Sequence, residues 1–368
     1  LCAACRIALV LQADDPAILA SSHGALQDTL TDIAGWAFLH KVAFHVGSNK
    51  SVLLTRRDVN PPELVFPTVG LPASPICAKL SHKYLGILWP GDLVFTPALL
   101  QCICVASCLV ATIAGLVQSA SLPLCFASAL FEAKVEGYLR YSRWLLAIAP
   151  GAAQVFNDAY DSWARQLLGS QPWRSAAVAR GELGWVVSGM LQAVVDVAMR
   201  RARLWSLPVG DFYRTVFTLG GAAHAPTTWY SLSKSLLLEY NVPDIVDLGC
   251  PLLPLSQYKK LVKDTLSASG VAKWQLDTAA HSIPFPIQLL HSGPSADCAV
   301  LRRCSVSWDT LSGQRSLCRL RAGLLDLSHR NNRRSNASQR NCIFCGRLTR
   351  APYIHVLGEC SFTAQHRS

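Results

Sequence analysis

The sequence predicts an α+β protein in three parts: a strand-and-helix region at the N-terminal end, a helical middle and a short C-terminal zinc site. Three observations predict it. Two short apolar runs flank a polar tip between residues 6 and 20, and a segment of helical period follows them. Residues 99 to 210 read mostly as helices. Cys342, Cys345, His355 and Cys360 then fall in the spacing of a tetrahedral metal site. With 368 residues, 51% of them hydrophobic, the chain can fill a sizeable core and form two domains, which excludes general disorder.

The first element expected is a β-hairpin. Residues 6 to 11, RIALVL, and 16 to 20, PAILA, are apolar runs separated by Gln12, Ala13, Asp14 and Asp15. Leu26, Leu30, Ile33 and Ala37 then recur at helical spacing, with Ser21, Ser22, His23 and Gly24 as turn and cap candidates before them. SVLLT at 51 to 55 reads as a strand. Pro61, Pro62, Pro67, Pro72 and Pro75 mark an irregular stretch, and order resumes near Tyr84.

The middle region opens on LLQCICVASCLVATIAGLV, residues 99 to 117. Its length approaches the roughly 20 apolar residues of a bilayer span. Gln101, Ser107 and Thr112 dilute the run, Pro97 stands near its start, and no Lys or Arg lies between Leu85 and Phe131 to anchor either end. A helix packed inside the protein is therefore expected over a membrane span. Further helices are expected from Ala152 to Leu168 and from Gly184 to Trp205. In the latter, Val187, Leu191, Val194 and Ala198 form a stripe, and Arg200, Arg201 and Arg203 read as a solvated helix end suited to the dipole. Residues 211 to 328 carry no motif, residues 329 to 340, HRNNRRSNASQR, form a basic polar linker, and no internal repeat is present. The domains expected are thus 1–95, 96–210, 211–328 and 329–368.

Adjacent carboxylates at a hairpin tip repel each other unless a cation neutralises them. Enzymes that use two metal ions for phosphoryl transfer need such carboxylates on a rigid element. The segment from Leu11 to Leu54, LQADDPAILASSHGALQDTLTDIAGWAFLHKVAFHVGSNKSVLL, resembles the reverse-transcriptase core of non-LTR retrotransposons. There a YADD box in a hairpin precedes a helix and then an NxxKS segment leading into a strand. Tyr84, Leu85 and Gly86 resemble the YLG segment near the primer-grip strand of that family, while RQLLG at 165–169 and RGELGW at 180–185 are weaker echoes of its thumb region.

The resemblance implies a partial palm over residues 1–95 and a thumb-like helical region over 96–210. It also implies that Asp14 and Asp15 are Mg²⁺-binding catalytic carboxylates and that Lys50 is the basic residue beside the incoming nucleotide. Gln12 replaces the aromatic residue of the box, Pro16 follows it, and Gly47 stands in place of the Asn. The family's remaining catalytic Asp lies upstream of the box, and the residues ahead of Asp14 contain no Asp or Glu. The chain therefore reads as a fragment, beginning at Leu1, that is inactive alone.

Cys342, Cys345, His355 and Cys360 form C-x2-C-x9-H-x4-C, three thiolates and one imidazole suited to a closed structural Zn²⁺ site. The ending HVLGEC resembles the CCHC zinc knuckle that follows the reverse-transcriptase domain in the same family. The other cysteines, of 14 in all, read as reduced thiols, Cys2 and Cys5 as buried small residues. Arg330, Arg333, Arg334 and Arg340 in the linker are phosphate-contact candidates, with Arg347 and Arg350 flanking the cluster. A formal net charge of +11 favours polyanionic partners. The function expected is therefore that of a fragment of an RNA-directed DNA polymerase, with RNA template and DNA primer or target as partners of the intact parent and a nuclear location. A non-catalytic, zinc-containing nucleic-acid-binding remnant is the alternative, and a membrane protein is the third reading.

Overall fold

The structure, a computed structural model, describes residues 7–12, 15–20, 22–46, 50–55, 63–68, 71–119, 124–169, 175–185, 187–223, 225–248, 253–280, 340–341 and 347–349. It is a mixed α+β protein, mostly helical, with small sheets. The chain divides into two compact units. One comprises Leu1–Leu100 and Val209–Ala223, the other Gln101–Pro208 and His224–Ser368.

In the first unit, strands β1 (Ile7–Gln12) and β2 (Asp15–Ala20) form the expected antiparallel hairpin, closed by the pair Gln12 and Asp15. Helix α1 (His23–Leu39) follows. Its N-cap is Ser22, in extended conformation, whose side chain accepts from the Ala25 N–H. The apolar period anticipated for this helix is its inner face: Leu30 and Ala34 are buried with Leu64 and Phe66, and Ile18, Leu26, Ile33, Leu53 and Ile76 pack against them.

A three-stranded sheet completes that small core. Strand β3 (Val52–Leu54) runs parallel to β5 (Leu71–Lys79), which pairs on its other side with antiparallel β4 (Leu64–Thr68). Of the prolines expected to mark an irregular stretch, Pro67, Pro72 and Pro75 thus sit in strands, while Pro61 and Pro62 lie outside the described residues. Pairing with β3 begins only at Cys77, so Pro72 and Pro75 lie where β5 has one neighbour, and Pro67 lies at the register shift between Phe66 and Thr68. Proline lacks the ladder donor and is tolerated at such edges and bulges. The outer side of β4 is also covered: Gln27 of α1 donates from Nε2 to Val65 O (2.8 Å), and its Oε1 accepts from the Val65 N–H (3.0 Å).

Strands β6 (Ser81–Tyr84) and β7 (Ile87–Pro90) make a second hairpin. Its two-residue turn is Leu85 and Gly86, with φ of 50° and 82°. Positive φ at both central positions is the type I′ pattern, which matches the strand twist. Gly86 suits it, whereas Leu85 meets a steric penalty there. Just past β7, Gly91 passes against β3: a Cβ there would lie 1.9 Å from the Thr55 carbonyl oxygen, so only glycine fits this close approach. Helix α8 (Phe212–Ala222), capped by Asp211, also belongs to this unit.

Helix α2 (Thr96–Gln118) leads into the second unit, whose described residues are otherwise helical except for a small C-terminal hairpin. It continues through α3 (Leu124–Leu130), a π-helical turn (Phe131–Glu136), α4 (Gly137–Leu146), α5 (Ala152–Leu168), α6 (Ala176–Glu182), α7 (Met190–Ser206), α9 (Trp229–Glu239) and α10 (Leu255–Ala280). The limits expected for the 152–168 helix are those of α5. Its buried positions, Ala152, Phe156, Ala159, Tyr160, Trp163, Ala164, Leu167 and Leu168, repeat every three to four residues, as a helix with one inward face requires. The described part of the unmotifed stretch after 211, as far as Ala280, is largely helical, and α10 closes on the rest through fully buried Tyr258, Val262 and Leu266.

Candidate functional site

The first candidate site is the acidic hairpin. The Gln12 and Asp15 pair puts Asp15 at the start of β2, and positions 13 and 14, which include the proposed carboxylate Asp14, lie outside the described residues. Pro16 pairs with Leu11 inside the hairpin. Ile18 in the unit core holds β2 against α1. Lys50 is exposed in the turn that opens β3, and Ser51 next to it donates from Oγ to the His45 carbonyl (3.2 Å). Tyr84, Leu85 and Gly86 form the tip of the β6–β7 hairpin.

The second candidate is the Cys/His cluster. Cys342, Cys345, His355 and Cys360 lie outside the described residues, as do Arg330, Arg333, Arg334 and Arg350. The chain on both sides of the CxxC pair is described: β8 (Arg340–Asn341) pairs antiparallel with β9 (Leu348–Thr349), Arg340 opposite Thr349 and Asn341 opposite Leu348. Arg340 thus lies in the β8–β9 pair, and Arg347 is exposed beside β9. Among the described residues, no group of three or more His, Cys, Asp and Glu side chains is arranged to hold a metal.

Helix α2 carries the apolar run that raised the question of a membrane. It is 23 residues long with a mean hydropathy of 2.2 in its most apolar window, of which 33% is buried. Leu99, Cys102, Ala106, Val110, Ile113 and Val117 turn inward, whereas Leu100, Val105 and Leu116 are exposed. Ser107, one of the polar residues that dilute the run, accepts from Trp163 Nε1 (3.0 Å), and Cys102 Sγ lies 3.7 Å from Ser142 Oγ. Burial raises the pKa of the Cys102 thiol above its ordinary value.

Sequence reasoning missed two buried ionic groups. Arg143 is fully buried; its Nε donates to Asp196 Oδ2 (2.6 Å), and its Nη1 donates to Glu136 Oε2 (2.7 Å) and to the Tyr160 hydroxyl (2.8 Å). Tyr160 in turn donates to Glu136 Oε1. Arg143 Nη2 is buried without a hydrogen-bond partner among the described residues. Burial pushes the Asp196 carboxyl upward against the opposing pull of Arg143, and it pushes the Tyr160 hydroxyl well above its usual range. Phe131 and Trp185 stack beside this group with ring centroids 4.3 Å apart.

The second group corrects the reading of the α7 arginines as a solvated end. Arg203 is exposed and Arg200 half-buried, but Arg201 is fully buried, paired with Asp244 and donating from Nη1 to Ser233 Oγ (2.7 Å) and the Tyr230 carbonyl (2.9 Å). The available signal was periodicity: Val194, Ala198 and Arg201 continue one stripe, as do Leu139, Arg143 and Leu146. A charge on an apolar stripe needs a buried counter-charge.

No protein family, curated protein or solved structure matches this chain.

Proposed function

We infer that the chain is a fragment of a non-LTR retrotransposon RNA-directed DNA polymerase, inactive by itself. The observation that carries this reading is the order of its N-terminal elements. A hairpin closing at Gln12 and Asp15 precedes a capped helix, then Lys50 at the entry to a strand, then a tight hairpin turning on Tyr84, Leu85 and Gly86. That is the order in which the reverse-transcriptase core arranges its acidic box, helix, NxxKS segment and primer-grip region. In the intact parent, Asp14, Asp15 and an upstream carboxylate would hold Mg²⁺, hard oxygen donors suiting a hard cation. The metal would supply activation of the primer hydroxyl and neutralisation of the leaving pyrophosphate. Lys50 would sit beside the nucleotide phosphates.

The soft donor set Cys342, Cys345, His355 and Cys360 suits Zn²⁺, and the β8–β9 pairing that brackets the CxxC supports a small closed site. With the basic residues Arg330, Arg333, Arg334 and Arg340, this element would contact the phosphates of the RNA template or DNA target, in the nucleus. A second reading, a non-catalytic nucleic-acid-binding remnant, draws support from Gln12 and Pro16 in the box.

Primer extension on an RNA template with Mg²⁺, alongside oligonucleotide binding by the same preparation, tests both readings. The fragment should bind RNA and DNA without extending a primer. Templated extension abolished by Asp14→Ala would show that the chain is self-sufficient, and failure to bind any oligonucleotide at low salt would overturn both readings.

A further inference from the structure

The outer faces of α4, α7 and the start of α9 carry an aromatic and arginine strip that neither the acidic hairpin nor the zinc cluster uses. The Trp144 ring lies under the Arg200 guanidinium, 4.7 Å from ring centroid to Cζ, and meets Trp229 edge to face with centroids 5.6 Å apart. Trp229 Nε1 reaches back to the Trp144 carbonyl (3.4 Å), and Trp144 Nε1 donates to the Tyr141 carbonyl (3.1 Å). These contacts fix the two indoles in the strip. One turn before Trp144, Arg140 and Tyr141 are exposed, and Tyr141 leaves 57% of its surface in solvent. Beyond Arg200 on α7, Arg203 is exposed as well.

The exposed charges on α4 and α7 have one sign. Helix α4 contains no acidic residue; Glu136 at its N-cap and the single acid of α7, Asp196, are both held by buried Arg143, and Asp196 also acts on Arg140. Lys234 of α9 is already matched by Asp247, and exposed Glu132 lies ahead of α4, in the π-helical turn. The strip thus offers guanidinium groups for a phosphate backbone beside flat rings for unpaired bases. Regularly spaced phosphates meet the arginines, and base faces stack on aromatic side chains at a spacing a duplex cannot offer because its bases are already stacked. An acidic protein surface would satisfy the arginines but leave Tyr141 unused.

We propose that the Arg140, Tyr141, Trp144, Arg200 and Arg203 strip is a binding surface for single-stranded nucleic acid. The surface is independent of the polymerase reading. It requires neither the acidic hairpin nor the zinc cluster.

The test uses the full chain with Arg330, Arg333, Arg334 and Arg340 replaced by Ala, so that the basic linker does not mask the strip. The probe is a fluorescent oligothymidylate, with a 5-iodouracil version for photocrosslinking. Crosslinks should map to Tyr141 or Trp144. Tyr141→Ala should weaken binding by about tenfold while Tyr141→Phe preserves it, because stacking needs the ring and not the hydroxyl. Arg140→Ala with Arg203→Ala should flatten the slope of log affinity against log salt by about 1.4, at about 0.7 per single-strand phosphate contact. Absence of binding in this background overturns the proposal, and so do crosslinks confined to other regions. Competition by polyglutamate as effective as that by unlabelled oligothymidylate would instead assign the surface to an acidic protein partner and would equally overturn it.

Discussion

Replacing Arg143 by Met tests how the helical unit manages its buried charge. The methionine fills much of the volume of the arginine stem but removes three hydrogen bonds, of 2.6, 2.7 and 2.8 Å, from a side chain with no solvent exposure. It leaves Glu136 and Asp196, whose side chains are 13% and 12% exposed, without their shared counter-charge. Breaking a buried ion pair in this one-sided way costs about 3–5 kcal/mol, whereas breaking an exposed pair costs about 0.2–1 kcal/mol. The pair Lys234 and Asp247, 34% and 55% exposed, is the internal control. Urea denaturation followed by tryptophan fluorescence should show the large loss for Arg143→Met and the small one for Lys234→Met.

The pH dependence of that loss has a determined sign. Burial holds the folded-state pKa of Asp196 above its ordinary value, so the folded protein keeps this proton more tightly than the unfolded chain. The stability linked to the group is fully present below the ordinary carboxylate pKa and is lost as pH rises through the raised one. Removing Arg143 removes the influence that opposes the rise, so in the variant this window extends further upward. The deficit of Arg143→Met should therefore be smallest at acidic pH and grow toward neutrality. A deficit below about 1 kcal/mol at neutral pH, far under the cost of an unpaired buried charge, would refute the reasoning, as would one that does not change with pH.

Three further outcomes are expected. Leu85→Asn should raise stability by about 0.5–1 kcal/mol in thermal or urea melts, because Asn tolerates the positive φ that Leu85 adopts in the β6–β7 turn. Gly91→Ala should destabilise by about 2 kcal/mol or more, since its Cβ would collide with the Thr55 backbone and not with a movable side chain; a neutral result would show that β3 shifts freely. Metal analysis of the purified chain should give one zinc, lost on replacing Cys345 and Cys360 together by Ser, and unchanged zinc content would exclude these ligands.

Where structure follows from local pattern, the sequence was readable. The hairpin came from two apolar runs about a polar tip and α1 from its period and its serine cap, while the expected bounds of α5 coincide with αL caps at Gly151 and Gly169. Strands β4 and β5 were hidden because Pro67, Pro72 and Pro75 signal breaks, and only the pairing pattern shows that each stands where no ladder donor is required. The inward turn of Arg201 was hidden because its partner, Asp244, lies 43 residues away in a stretch with no motif of its own. The candidate carboxylates rest on the family resemblance and the candidate zinc ligands on their spacing; what the structure describes is a strand pair beside each set. The Trp144, Arg200 and Trp229 grouping had no sequence signature, since its members come from three separate helices.

The two buried arginines and the exposed strip are connected through the geometry of α7. Successive residues on a helix are turned by about 100°, so neighbours such as Arg200 and Arg201 cannot both face the core. Burying Arg201 against Asp244 and Ser233 directs Arg200 to the flank, over Trp144, and Arg203 to solvent. On the same helix, Asp196 holds Arg143 of α4 and thereby fixes the rotation of α4 that presents Arg140 and Tyr141 outward. An apolar pair at either position would bury as much surface and demand no particular rotation, because hydrophobic contact is non-directional. The charged pairs, with their bidentate or branched hydrogen bonds, admit one register. Their consequence for the surface is that arginines and rings on separate helices hold a fixed spacing, which an extended single strand requires and a set of independent solvated side chains would not supply.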